Sequence, residues 1–230
     1  MPEHELMDFD ALYQGKSVQM NDDGPTVEII PWQLDGPQPL VVELVEAGEF
    51  TGPVLEIGCG LGDNALYLAE QGLKVTAVDA APTAIEQNRA KAAARGADVT
   101  FAVADATVLD GVGDGFASAL DSALMHCLDA DQRRAYLAAL HDRCRPGARL
   151  HILCFPPAIG DFFPLGAETD EASLRRDLGE HWRVERMEIR RYTTAFTKDQ
   201  WQTMVPNSEV ESDDDGRILL PIWQITAVNS

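Results

Sequence analysis

The sequence predicts an α/β protein: a seven-stranded, mostly parallel sheet, helices on both faces, and an antiparallel C-terminal pair of strands. Three observations carry this reading. Between residues 54 and 155, strand-like apolar runs alternate with amphipathic runs of helical period. A glycine cluster stands at the first strand-to-helix corner. Near the end, two strand-like runs follow one another without a long helical pattern between them, so they should pair antiparallel.

Residues 1–50 carry Pro25, Pro31, Pro37 and Pro39 and read as an irregular cap followed by a helix over "PQPLVVELVEAG". "PVLEIG" is the first core strand. "DNALYLAEQG" is a helix with Ala65, Leu68 and Ala69 on one face and Gly72 as its stop. "KVTAVD" is the second strand, and the helix "APTAIEQNRAKAAARG" opens near Pro82 and closes at Gly96. "VTFAVAD", "ASALDSAL" and "ARLHILCF" supply three more strands. A helix from about Asp129 lies between the last two and closes on Pro146-Gly147. After Phe155 come a proline- and glycine-rich loop and a helix near "EASLRRDLGEHW". The strands "RVERMEIRRYTT" and "RILLPIWQITAV" follow, joined by a connection bearing "ESDDDG". Pro221 offers no N–H to a ladder, so it should mark a strand start or a bulge.

At 230 residues the chain fits one generous domain. Eighteen basic residues against 38 acidic ones give a formal charge of −20. Such a surface repels phosphate backbones and anionic lipid, so a small neutral or cationic ligand is expected, with no nucleic-acid or membrane partner. Only Lys16, Lys74, Lys91 and Lys198 are lysines, which suits a salt-adapted host and simple solubility equally. Cys59, Cys127, Cys144 and Cys154 show neither CxxC nor zinc-ligand spacing and read as free thiols in a reducing cytosol. The N-terminus is acidic, and the longest uncharged apolar run, residues 150–160, contains two prolines and is too short to span a bilayer. A cytoplasmic protein, monomer or homodimer, is expected.

The stretch "VLEIGCGLGDNALYLAEQGLKVTAVD" bears the chemistry. Gly58, Gly60 and Gly62 follow a strand and open a helix, where bare peptide can adopt positive φ and lie against a ligand. A dinucleotide site asks for GxGxxG, but Asp63 stands where its third glycine or alanine belongs. A carboxylate at the first helical turn sits poorly with a pyrophosphate. Asp79 ends the second strand, where its two oxygens could accept from both ribose hydroxyls of a nucleoside; it could equally cap a helix. Asp105 ends the third strand or serves as a turn residue.

The register Glu56-x-Gly58-x-Gly60-x-Gly62 resembles E/D-x-G-x-G-x-G of the class I S-adenosylmethionine-dependent methyltransferases, which share a Rossmann-like fold. "RPGARL" resembles that family's RPGGxL turn. The resemblance implies S-adenosylmethionine as cofactor and S-adenosylhomocysteine as product. It places Glu56 near the methionyl ammonium, Asp79 at the ribose and Asp105 at the adenine amino group, with Cys59, Ala80 and Ala106 beside them. "IPWQLDGPQP" resembles the PPWDxGxPQP stretch of the thiopurine, heterocycle and quinone methyltransferases, and "LDSALMHCLD" resembles their DSxLFH segment. Gln33, Asp35 and Met125 depart from those patterns. By this resemblance, which covers about residues 7–155, Trp32, with Phe9 and Tyr13, closes the cofactor pocket. The single domain is read as a cap (1–50), a cofactor-binding core (51–155) and a substrate-side region with the last two strands (156–230). After residue 155 no pattern matches.

His126 lies just past the fourth strand at the carboxyl edge of the sheet and is the candidate base, since an unperturbed imidazole titrates near neutrality. Lining the pocket is its other reading. Asp121 and Ser122 end the same strand and could touch cofactor or acceptor. Phe9, Tyr13, His126 and the Phe162-Phe163 pair are candidates for a planar acceptor pocket. The acidic runs 110–115 and 212–216 read as solvated turns, so no metal is expected. The expected activity is methylation of nitrogen or oxygen on a small aromatic or heterocyclic molecule. S-methylation of a thiol, non-catalytic cofactor binding and a nicotinamide enzyme stay open.

Overall fold

The computed structural model describes residues 8–19, 26–27, 29–157 and 169–230. In chain order the elements are α1 (Phe9–Tyr13), β1 (Val18–Gln19), β2 (Thr26–Val27), α2 (Pro39–Glu46), β3 (Val54–Ile57), α3 (Asp63–Glu70), β4 (Val75–Asp79), α4 (Pro82–Arg95), β5 (Val99–Val103) and β6 (Phe116–Ser122). A 3₁₀ turn over Met125–Cys127 leads into α5 (Ala130–Arg143), β7 (Cys144–Cys154), α6 (Glu171–Leu178), β8 (Trp182–Thr197), α7 (Lys198–Met204), β9 (Glu211–Ser212) and β10 (Arg217–Asn229).

The main sheet runs β5-β4-β3-β6-β7-β10-β8, with the short β9 beside β10 and a separate β1–β2 ribbon. β5 to β7 pair parallel, while β10 is antiparallel to both β7 and β8. The C-terminal pair thus forms as expected, but its later strand sits inside and β8 takes the edge.

Alternation along the strands divides the core between the two faces. Leu55 and Ile57 of β3 pack with Leu137 and Leu140 of α5 and Leu174 and Leu178 of α6. Val54 packs on the opposite side with Val41 and Leu44 of α2, Leu66 and Leu68 of α3 and Ile85 of α4. Local chemistry sets the helix ends. Asp129 and Gln132 form a reciprocal capping box at α5. Pro82 opens α4, and Gly96 closes it in the left-handed region at φ 64°.

Two expectations need correction. α5 ends at Arg143 rather than on Pro146-Gly147, because β7 has already begun at Cys144. "RPG" is a bulge within that strand: Phe116 pairs with Cys144, but Ser118 pairs with Arg149, and Gly147 supplies the positive φ. Pro221 neither starts a strand nor marks a bulge. It sits within β10 opposite Arg191, at a level β7 no longer reaches, since β7 pairs with β10 only from Trp223 onward. A missing N–H is tolerated where no ladder runs on that flank.

Candidate active site

A cavity of about 370 Å³ opens at the carboxyl ends of the parallel strands, where open α/β sheets place their ligands. One half is built from the β3–α3 loop and the ends of β4 and β5; the other from the segments after β6 and β7 and from β8 and β10.

The glycine loop forms the first half. Gly58, Gly60 and Gly62 all have positive φ, and each is pressed by a neighbour. A Cβ on Gly60 would lie 3.0 Å from the Tyr13 hydroxyl and 3.3 Å from the Trp32 indole nitrogen. One on Gly62 would lie 2.8 Å from the Asn88 amide carbon. Cys59 is buried beside the cavity, and its N–H donates to Val78 O at 3.0 Å; burial pushes its thiol up, consistent with a filler rather than a nucleophile. Asp79 accepts from Gly60 N–H at 2.8 Å and Ala81 N–H at 2.9 Å, so the second strand's carboxylate fixes the loop of the first. Ala80 and Ala106 line the same wall.

Glu56 is 1% exposed. Its Oε1 accepts from Asn64 Nδ2 at 3.2 Å, while Oε2 is buried with no partner among the described residues. Burial raises this carboxyl to about 8, only partly countered by the Asn64 hydrogen bond. An unpaired buried carboxylate oxygen is costly until a donor or cation meets it.

Phe9, Tyr13 and Trp32 roof the cavity, with ring centroids 5.8 Å apart for Phe9–Trp32 and 6.4 Å for Tyr13–Trp32. Helix α1 is latched to α4 from outside. Asp10 accepts from Thr83 N–H at 2.9 Å and from its hydroxyl at 3.1 Å, and Gln87 donates to Tyr13 O at 2.9 Å. α4 has no side-chain cap of its own, so Asp10 serves as one in trans. Thr83 N–H holds that carboxyl below its usual range.

At the other half, β6 ends in a tight turn in which Ala123 adopts φ 76°. Asp121 does not reach the cavity. It is fully buried, accepts from Leu124 N–H at 2.8 Å and from the Tyr136 hydroxyl at 3.0 Å, and thereby clamps the turn. Asp105 takes the turn reading. It is exposed, lies outside the cavity wall, and spends Oδ1 on the N–H and hydroxyl of Thr107, as a turn residue does. His126 does line the cavity, 2% exposed, and its Nδ1 accepts from Phe155 N–H at 3.4 Å. Burial pushes it down to about 3, so the ring is neutral at physiological pH. His126, Phe155 and Tyr192 meet edge to face in series, centroids 4.9 and 5.2 Å apart, and Thr194 and Leu220 complete that wall. Phe162 and Phe163 fall outside the described residues.

Sequence reasoning missed Asn64 and Asn88. Asn64 accepts from Gln38 N–H at 2.9 Å while donating to Glu56, joining the proline-rich entry segment to the buried acid. Asn88 donates to Gly60 O at 2.8 Å from beneath the loop. Neither belongs to a motif; α4's spacing, which puts Asn88 one turn beyond the buried Ile85, was the available signal.

Among the described residues lining the cavity are five carboxylates (Asp8, Asp10, Glu56, Asp63, Asp79) and no lysine or arginine. With bare glycine peptide and an unpaired Glu56 oxygen, this set fits a cationic ligand without phosphate. Residues 54–147 match a family model described as a methyltransferase domain. The 2-heptyl-1-hydroxyquinolin-4(1H)-one methyltransferase of Mycobacteroides abscessus is 35% identical over 183 residues, 77% of each chain. The chain belongs to the class I S-adenosylmethionine-dependent methyltransferases.

A solved structure from work on the conversion of a disulfide bond into a thioacetal group during echinomycin biosynthesis is similar to this methyltransferase. It is 33% identical, with a TM-score of 0.78, covering 96% of this chain and 91% of that one. The magnesium protoporphyrin IX methyltransferase of Synechocystis, solved with bound S-adenosylmethionine, shares the fold at 19% identity. Its TM-score is 0.58, covering 83% of this chain and 76% of that one. The cofactor is S-adenosylmethionine, whose sulfonium and ammonium suit the acidic wall, and the methyl acceptor is a small molecule. No helix among the described residues is long and apolar enough to cross a membrane.

The latch on α1 gives a direct expectation. Asp10→Ala removes the hydrogen bonds of an ionised group, worth about 1.5–3 kcal/mol before any loss to local fraying. Affinity for S-adenosylhomocysteine, measured by calorimetry, should fall about tenfold, and the thermal midpoint without ligand should fall by about 2–8 °C. Unchanged affinity would separate α1 from cofactor closure.

Proposed function

We propose that this methyltransferase transfers the methyl group to nitrogen or oxygen of a small, planar aromatic or heterocyclic molecule. The observation that carries the reading is the uncharged aromatic wall of His126, Phe155 and Tyr192, which faces the cavity half away from the glycine loop. The Mycobacteroides relative, named for a hydroxyquinolone, supports it. Bound there, S-adenosylmethionine would supply an electrophilic methyl on a positively charged sulfur. Glu56 and Asp79 would hold the cofactor's polar groups, and the Phe9, Tyr13 and Trp32 roof would exclude water from it. The chain's main contribution to rate is then to hold donor and acceptor close and in line.

Sulfur is the second reading, favoured by the similarity to the protein studied for thioacetal formation. An acceptor panel of hydroxyquinolones, phenols, NH-heterocycles and thiols, with products fixed by mass spectrometry, decides between them. Turnover confined to thiols would overturn the first reading; turnover of none would leave a cofactor binder.

A further inference from the structure

His126 is the residue that sequence reasoning would make a base, and its surroundings point the other way. Nδ1 accepts a hydrogen bond from Phe155 N–H, so a neutral ring carries its single hydrogen on Nε2. That ring therefore donates. Around it stand Cys127 on its own turn, Tyr192 of β8 on the same cavity wall beyond Phe155, and Asp121 at the end of β6, which accepts from the backbone of that turn. Asp121 is committed to the backbone and Tyr136, and burial keeps the protons on Cys127 and Tyr192.

The cavity's carboxylates are no better placed to take a proton. Asp8 caps α1 and Asp10 caps α4. Asp63 is held by Gln33 and Lys91, Asp79 by two backbone N–H groups, and Glu56 stands at the end of β3 behind the glycine loop. The acceptor half thus offers a donor and an aromatic surface, and no free base among the described residues.

We propose that His126 is a hydrogen-bond donor to an acceptor oxygen that binds already ionised, so the acceptors are oxygen acids that shed their proton in water: N-hydroxy heterocycles and acidic phenols. This rests on the reading above that the acceptor is a small planar ring. The anionic oxygen bonds to the methyl carbon as that carbon's bond to sulfur breaks, the electron pair staying on sulfur. The proton has gone to solvent before transfer, so none is removed in the cavity. An N–H aimed at an anion in a dry site stabilises it far more than in water.

The test uses enzyme loaded with a non-transferring analogue of S-adenosylmethionine that keeps a positive charge at the sulfur position, with 1-hydroxyquinolin-4(1H)-one and a set of phenols of graded acidity as probes. Calorimetry in two buffers of different ionisation heat, below each acceptor's own pKa, should show about one proton released to buffer per molecule bound. In turnover, the acid limb of kcat/KM should move one pH unit for each unit of acceptor acidity. His126→Phe should weaken acceptor binding and lower kcat/KM about tenfold with cofactor affinity unchanged, and His126→Gln should restore part of both. If the protein retains the proton, or one fixed acid limb serves every acceptor and vanishes in His126→Phe, the imidazole is a base and the proposal is overturned. If wild-type enzyme binds none of these probes, the ring-acceptor reading itself falls, and this inference with it.

Discussion

Glu56→Gln should raise the dissociation constant for S-adenosylmethionine about ten- to hundredfold. The side chain keeps its shape and its contact with Asn64 but loses the charge that meets a cationic ligand. Hydrogen bonds to charged groups are worth about 1.5–3 kcal/mol, and about 1.4 kcal/mol is tenfold in affinity. The pH dependence identifies the cause. In the free protein burial holds this carboxyl neutral up to about 8, while binding a cation favours the ionised form. Affinity should therefore climb by up to about tenfold per pH unit towards 8, then turn over as the ligand's own amino group loses its charge. In Glu56→Gln the rising limb disappears.

The same group sets a stability trend. A carboxyl raised in the folded state favours folding below its unfolded value near 4.5, and that contribution drains away as pH rises to about 8. Between about 4.5 and 6.5 the buried His126 and His151, both depressed, work in the opposite direction. Above 6.5 the loss is opposed by neither. The ligand-free protein should then lose about 1.4 kcal/mol per pH unit on this account. Buried Asp121, raised to about 7, adds a loss of the same sign below that pH, so Glu56→Gln should flatten the slope of thermal midpoint against pH between about 7 and 8.

Gly58→Ala should be the most damaging small substitution in the loop. Its φ of 66° is left-handed, costing a residue with a Cβ about 1–2 kcal/mol. The new carbon would also lie 2.9 Å from Leu124 Cβ, an atom fixed to backbone, and overpacking adds about 1–3 kcal/mol. The midpoint should fall by about 5–15 °C. Gly96→Ala is the control: its φ is 64° with nothing within 4 Å, so only the conformational cost applies. Because Leu124 leads the turn carrying His126, Gly58→Ala should depress kcat/KM as well. Equal melting of the two variants would refute the crowding.

Much of this was legible in the sequence because it rests on local rules. The glycines of the first corner, the helix start near Asp129, the stop at Gly96 and the apolar runs of β3 to β7 each state their geometry within a few residues. That Glu56 and Asp79 line the cavity was legible, Glu56 from the register of the glycine motif it precedes and Asp79 from its place at a strand end, since strand ends in a parallel sheet all point to one edge. Asp105 and Asp121 were not, since the same short carboxylate satisfies a turn, a buried clamp or a ligand, and only the local path decides. Asn64, Asn88 and the trans cap from Asp10 bridge 26, 28 and 73 residues of chain, and no spacing announces such contacts. The length of α5 was overread because Pro146 invites a helix stop, while Cys144 had already turned to extended backbone.

The position of β10 between β7 and β8 has a consequence for assembly. Strands β3, β4 and β5 can zip together from one short stretch of chain, and with them the corner that receives the cofactor. The opposite wall must wait for the last strand, because β8 joins the sheet only through β10, and β10 must find β7 between 69 and 79 residues back in the chain. Non-local pairings of this kind form late because the loop entropy is spent before contacts repay it. A nascent molecule would accordingly be competent to grip its methyl donor before it could choose what to methylate.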